Sequence, residues 1–188
     1  MNLPNALTVA RIFLVPLLVV VLLTKLDAWW PFGFSKEVLG ALIFGIASLT
    51  DWADGYLARR RKQVTGFGQW MDPLADKLLV TAALISLVQL GLAPAWMVAV
   101  ILGREFAITV LRSVAYARGL SLPASPMGKV KLVAQVVAIL ILILSQGQPR
   151  WIWVVGQVAL WAAMLAALVS AADYYRRFTS AMSRPPDA

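Results

Sequence analysis

Four aspartates fall in two pairs near the ends of two strongly apolar segments: Asp51 and Asp54, then Asp72 and Asp76. Carboxylates in or beside lipid are costly and are kept there chiefly for function. Spacings of three and four residues put the members of each pair on one helix face. Four converging carboxylates would repel, and some would stay protonated; divalent cations would cancel that charge. The chain has no histidine and no cysteine, which removes imidazole and thiolate ligands, a histidine base and a covalent phosphoenzyme on either residue. An oxygen-only donor set favours hard cations such as Mg²⁺, Mn²⁺ or Ca²⁺. The plainer reading has Asp72 capping the third helix and Asp51 pairing with Arg59. A helix end needs one cap, however, and not two coordinated pairs of carboxylates, so the spacing predicts a metal site.

The elements that must position these residues are membrane spans. The chain has 188 residues, 61% of them hydrophobic and 14% charged, against about 45–50% apolar usage in soluble domains. It is expected to be an all-α integral membrane protein with six transmembrane helices. The runs are Leu7–Leu23, Val38–Ala58, Met71–Leu90, Pro94–Ala117, Val130–Leu144 and Trp151–Tyr174, about 20 residues being enough to cross the hydrocarbon core. Residues 1–179 form one membrane domain and residues 180–188 a mobile tail, with Pro16 a candidate kink in the first helix. No cleavable leader is expected in the first run. Basic residues set the orientation. With the N-terminus inside, the outer loops hold Lys25, Lys36 and Arg150, and the inner side holds Arg59, Arg60, Arg61, Lys62, Arg118, Lys129, Arg176, Arg177 and Arg184. An N-in, C-in cell-membrane protein follows, with Trp29, Trp30, Trp96 and Trp151 at the outer interface and the acidic residues facing the cytosol. The short linker Arg59–Trp70 makes the second and third helices antiparallel neighbours. The net charge of +8 favours anionic lipid or substrate, and no alternation of basic and aromatic residues suggests nucleic acid.

Gly55 follows Asp54 inside a helix, where glycine costs about 1 kcal/mol relative to alanine. With Ala58 one turn on, it offers a smooth surface on which a ligand can approach the backbone. Close helix packing would use the same small residues. Arg59 beside the carboxylates suits bidentate contact with phosphate. A second basic group, Arg104, Arg112, Lys129 and Lys131, could form a pocket for a phosphorylated acceptor. Arg104 lies about 15 Å into its span at 1.5 Å per residue, a depth from which snorkelling is difficult, and the adjacent Glu105 could pair with a neighbouring helix.

The pattern Asp51-x2-Asp54-Gly55-x2-Ala58-Arg59-x8-Gly68-x3-Asp72-x3-Asp76 resembles the signature of the CDP-alcohol phosphotransferases at every fixed position. Asn5-Ala-Leu-Thr8-Val-Ala-Arg11, Gly103-Arg104-Glu105-Phe106 with Arg112, and Gly128-Lys129-Val-Lys131 with Gln135 are similar to the bacterial members whose acceptor is sn-glycerol 3-phosphate. The resemblance implies a six-helix homodimer that uses two divalent cations, Mg²⁺ or Mn²⁺, to transfer the phosphatidyl group of CDP-diacylglycerol to sn-glycerol 3-phosphate. It implies that Asp51 and Asp72 bridge both cations, Asp54 holds one, and Asp76 holds the second and serves as the base. It further implies that Gly55, Arg59 and Thr65 contact the nucleotide diphosphate and that Asn5, Thr8 and Arg11 lie beside the cytidine or its phosphates. Two alternatives remain open: another acceptor, such as phosphatidylglycerol or inositol phosphate, and a cation transporter with an acidic transport site.

Overall fold

Apolar runs with no water to satisfy their peptide groups must bond internally, and helices are the economical solution. The computed structural model describes the backbone of residues 3–24, 35–61, 66–118 and 126–182, and the side chains of residues 10–24, 35–50, 77–118 and 130–182. Among these residues the chain forms six helices: α1 Leu3–Leu23, α2 Lys36–Arg61, α3 Gly66–Gln89, α4 Ala95–Ala117, α5 Pro126–Leu144 and α6 Arg150–Met182. The six apolar runs thus each become one helix. Pro16 is accommodated within α1, which stays helical on both sides of it.

Two glycines end helices at tight turns. Gly91 takes φ +71° after α3. Its amide donates to the Val88 carbonyl at 3.0 Å, and the next amide, of Leu92, donates to the Leu87 carbonyl at 2.9 Å. That pair of bonds is the Schellman arrangement, which needs a left-handed residue and therefore favours glycine. Pro94 then leads into α4. Gly147, at φ +68°, sits in the turn between α5 and α6, where the Gln148 amide donates to the Ser145 carbonyl at 3.2 Å.

Helix α1 packs against both α2 and α3; α6 packs along α5 and α4; α2 and α3 reach α5, and α3 also meets α4. The core where these faces meet is built from Leu18, Leu22, Phe44, Leu84, Met97 and Ile139, all at most 1% exposed. The outside carries many large apolar side chains: Phe13, Val133, Val158 and Trp151 are 60–71% exposed. Large apolar side chains exposed along several helices are uncommon on a soluble monomer and natural against lipid. Among the described residues α6 is long and apolar enough to cross a membrane on its own, and Ala10–Leu23, Lys77–Gln89 and Val130–Leu144 are shorter apolar stretches.

Close packing of α6 on α5 depends on Gly156. A Cβ there would stand 2.6 Å from Leu142 Cδ2, 3.0 Å from Leu142 Cγ and 3.3 Å from Ile141 Cγ2, and Leu142 is fully buried. Gly156→Ala is expected to lower stability by about 1–3 kcal/mol through overpacking, readable as a lower thermal midpoint in detergent. An unchanged midpoint would mean that the helix pair separates without cost.

The helix limits differ from the expected spans in ways that bear on the site. Helix α3 starts at Gly66 rather than Met71, and α2 runs on to Arg61. Residues 59–61 and 66–70 of the expected linker are therefore helical, and residues 62–65, Thr65 among them, lie outside the described residues. Asp72 sits six residues inside α3, so it cannot be that helix's N-cap. Helix α5 begins at Pro126 and includes Lys129. Helix α6 continues through Met182, past the boundary expected at residue 180, and Arg118 Nη1 lies 3.1 Å from Met182 Sδ. At 1.5 Å per residue such a helix is about 50 Å long, more than the roughly 30 Å hydrocarbon core requires.

Candidate active site

The acidic motif is carried on helix interiors. Asp51, Asp54, Gly55, Ala58 and Arg59 lie within α2, and Gly68, Asp72 and Asp76 within α3. On α2, Asp51, Asp54 or Gly55, and Ala58 recur at the three- and four-residue steps that define one face; on α3, Asp72 and Asp76 do the same. Helices α2 and α3 touch directly, and both lie on α1, which carries Asn5, Thr8 and Arg11 at three-residue steps. Of all these residues only Arg11 has a described side chain. It is 1% exposed and ranks among the largest fully buried side chains of the protein. The side chains of Asn5, Thr8, Asp51, Asp54, Gly55, Arg59, Asp72, Asp76 and Lys129 lie outside the described residues.

The stripe that carries Asp72 and Asp76 continues one turn later to Val80, and Val80 lines a cavity of about 70 Å³ between α3, α4 and α5. Lys77 and Thr81 of α3, Glu105 of α4, and Lys131 and Gln135 of α5 supply its polar edge; Leu102, Phe106, Leu132 and Val136 complete the apolar wall. A polar network crosses the helices here. Lys77 donates through Nζ to Thr109 Oγ1. That hydroxyl donates in turn to the Glu105 carbonyl at 2.8 Å. Lys131 donates to Glu105 Oε1, so the expected pairing of Glu105 with a neighbouring helix is present, its partner being α5.

Glu105 Oε1 also accepts from Arg104 Nη1 at 3.3 Å. The rest of the Arg104 guanidinium turns to α6: Nε donates to the Ala167 carbonyl at 2.9 Å and Nη2 to Ser170 Oγ at 2.8 Å. Arg112, two turns further along α4, also faces α6, with its guanidinium carbon 5.8 Å from the centre of the Tyr174 ring. Of the four expected acceptor cations, then, Lys131 lines the cavity, Arg104 meets it through the shared carboxylate, and Arg112 stands apart against α6. The deep charge of Arg104 is accommodated by protein hydrogen bonds, because a guanidinium can satisfy three acceptors at once.

Sequence reasoning passed over Lys77 and Thr109 and gave Gln135 no site role. Lys77 could have been noticed as a lysine inside an apolar helix directly after Asp76, and Gln135 as a lone amide one turn beyond Lys131. Thr109 carries no signal of its own; only packing of α3 on α4 reveals it.

These features define a class: an all-helical membrane protein with a histidine-free acidic motif on two touching helices and a basic-edged cavity one turn away. A family model described as CDP-alcohol phosphatidyltransferase matches residues 1–169, and the chain belongs to that family of membrane-associated enzymes. It is 45% identical over 183 residues to the CDP-diacylglycerol–glycerol-3-phosphate 3-phosphatidyltransferase of Bacillus subtilis (strain 168), covering 94% of each chain. It is 36% identical over 177 residues to the protein of the same description from Rickettsia felis, covering 93% of this chain and 94% of that one. A probable phosphatidylglycerophosphate synthase of Mycobacterium tuberculosis (strain H37Rv) is 39% identical over 176 residues, 94% of this chain and 81% of its own.

Proposed function

We propose that this enzyme transfers the phosphatidyl group of CDP-diacylglycerol to sn-glycerol 3-phosphate, giving phosphatidylglycerophosphate and CMP. The observation that carries the reading is the complete acidic motif on the interiors of two touching helices, in a chain similar over nearly its whole length to relatives described by that reaction. The donor set fits hard divalent cations, since all four candidate ligands are carboxylates and the sequence offers no nitrogen or sulfur donor of the usual kinds. Held by Asp51, Asp54, Asp72 and Asp76, two such ions (Mg²⁺ or Mn²⁺) would neutralise the diphosphate and stabilise charge on the entering and leaving oxygens.

The chain's own residues do the rest. Arg59 and the bare backbone at Gly55 bind the diphosphate, with Thr65, Asn5, Thr8 and Arg11 toward the cytidine. Lys131 and Lys129, with Arg112, draw in the acceptor phosphate, while Arg104 fixes α4 on α6 and so sets the position of Glu105 and Lys131. Asp76 takes the proton from the primary hydroxyl of the acceptor. The freed oxygen bonds to the phosphorus that bears the diacylglycerol, and the bond from that phosphorus to the bridging oxygen breaks, so that CMP departs with the electron pair. On this reading the chain crosses the cytoplasmic membrane six times with both termini inside, its site faces the cytosol, and two copies form a homodimer. Basic loops on the inner side support that orientation.

Purified protein in detergent, given CDP-diacylglycerol and a panel of acceptors, is expected to release CMP with sn-glycerol 3-phosphate and to stop when EDTA is added. Mg²⁺ or Mn²⁺ should restore the rate. Release driven by inositol phosphate or phosphatidylglycerol instead would replace the acceptor, and cation flux in liposomes without CMP release would replace the enzyme by a transporter.

A further inference from the structure

Lys77 stands mid-way along α3, eleven residues after its first residue Gly66. A lysine so deep in an apolar helix is costly and is kept there for a reason. Its ammonium donates to Thr109 Oγ1 on α4. The Thr109 proton is already committed, to the Glu105 carbonyl one turn back on its own helix at 2.8 Å. Toward α3 the hydroxyl can therefore only accept, and the bond to its own backbone fixes where its lone pairs point. The two hydrogen bonds run in one direction, from Lys77 through Thr109 to the α4 backbone, and each polarises the other.

Lys77 also follows Asp76 directly. Consecutive helical residues are locked about 100° apart around the axis and about 1.5 Å along it, so whatever holds Lys77 sets the bearing of position 76. The helical register puts Asp72 and Asp76 on the stripe of Leu79, Ala83 and Ser86, all at most 1% exposed. Lys77, Val80 and Thr81 line the cavity on another side of the same helix. The buried stripe is held by apolar contact, which is non-directional. A hydrogen bond weakens steeply as it bends, and so resists rotation where apolar packing tolerates it. At a side-chain radius of about 5–6 Å, a turn of α3 by about 10° moves a group by about 1 Å. A misplacement of that size can cost about a hundredfold in rate. Resting on the assignment of Asp76 as the base, we propose that Thr109 is a positioning residue: by accepting from Lys77 it fixes the rotation of α3 about its axis, and with it the placement of Asp76 for proton abstraction.

Serine and alanine at position 109 differ by one oxygen, so the two variants isolate the hydroxyl. Thr109→Ser is expected to keep kcat for CMP release near the native value. Thr109→Ala should lower kcat by about tenfold to a hundredfold, with KM for both substrates little changed, because the base acts in the chemical step and not in binding. Rates are taken per folded enzyme, counted by equilibrium binding of CDP-diacylglycerol, so that lost protein does not read as lost kcat. A merely structural role would lower the thermal midpoint of the alanine variant and leave kcat per binding site at the native value, which would overturn the proposal. Equal losses in the serine and alanine variants would also overturn it, since they trace to the missing methyl group. Should the alanine variant fail to fold, Thr109→Val, which restores the lost volume without the hydroxyl, takes its place with the same expectation. If Asp76→Asn retains transfer, the base assignment falls and this inference falls with it. A native rate in Thr109→Ala beside an inactive Asp76→Asn overturns this inference alone.

Discussion

Asp76→Asn is expected to lower CMP release by at least about a thousandfold while CDP-diacylglycerol still binds. Asparagine keeps the volume and one carbonyl oxygen of aspartate, but it cannot accept the proton of the attacking hydroxyl and brings no charge to a divalent ion. Loss of a general base alone costs about 10²–10⁴ in rate, and the weakened hold on the cations adds to that. Stability should change little. Asp76 lies within an unbroken helix, ten residues from its first residue Gly66, so the substitution removes no cap. In the proposed site, without cations, it would also relieve repulsion among the carboxylates. The experiment measures turnover at saturating acceptor beside equilibrium binding of CDP-diacylglycerol. Transfer near the native rate would remove Asp76 as the base, and loss of folding would point to a structural carboxylate.

Arg104→Met should destabilise the protein by about 2–3 kcal/mol, the sum expected for two interhelical hydrogen bonds from a charged donor plus the acceptors left behind. The Arg104 side chain is 9% exposed and reaches the Ala167 carbonyl and Ser170 Oγ on α6 together with Glu105 on its own helix. Arg104→Lys should recover only a small part of the loss, because an ammonium cannot place three donors in the planar fork these partners require. Denaturant titration in detergent micelles reads the effect. Native stability in the methionine variant would mean that α4 and α6 hold together by apolar packing alone, and that the buried cation is kept for the substrate.

How much of this was legible beforehand varies residue by residue. Six apolar runs announced six helices, because a chain in lipid has few ways to satisfy its peptide groups. The turn between α3 and α4 rests on Gly91 in the left-handed region, followed by Pro94 at the entry to α4. Glu105, beside the deep Arg104, was readable as able to pair with a neighbouring helix, and it pairs with Lys131 of α5. The acidic motif was readable as a unit, because its residue types and steps carry chemistry wherever the helices sit. Helix ends were not: α2 and α3 run further toward each other than their apolar stretches suggest, since helix continues into polar sequence whenever nothing breaks it, and that extension removes Asp72 from a capping position.

The sequence by itself determined the donor types on offer, the number of helices among the described residues and the spacing of the acidic groups along each helix, because all of these follow from side-chain type and a fixed helical repeat. Tertiary structure alone decided which neighbour each face meets. It turned Arg104 and Arg112 toward α6, gave Lys131 to Glu105, and tied Lys77 to Thr109 thirty-two residues away. A helical repeat fixes angles about one axis. The pairing of axes depends on summed packing over whole faces, which no local pattern contains.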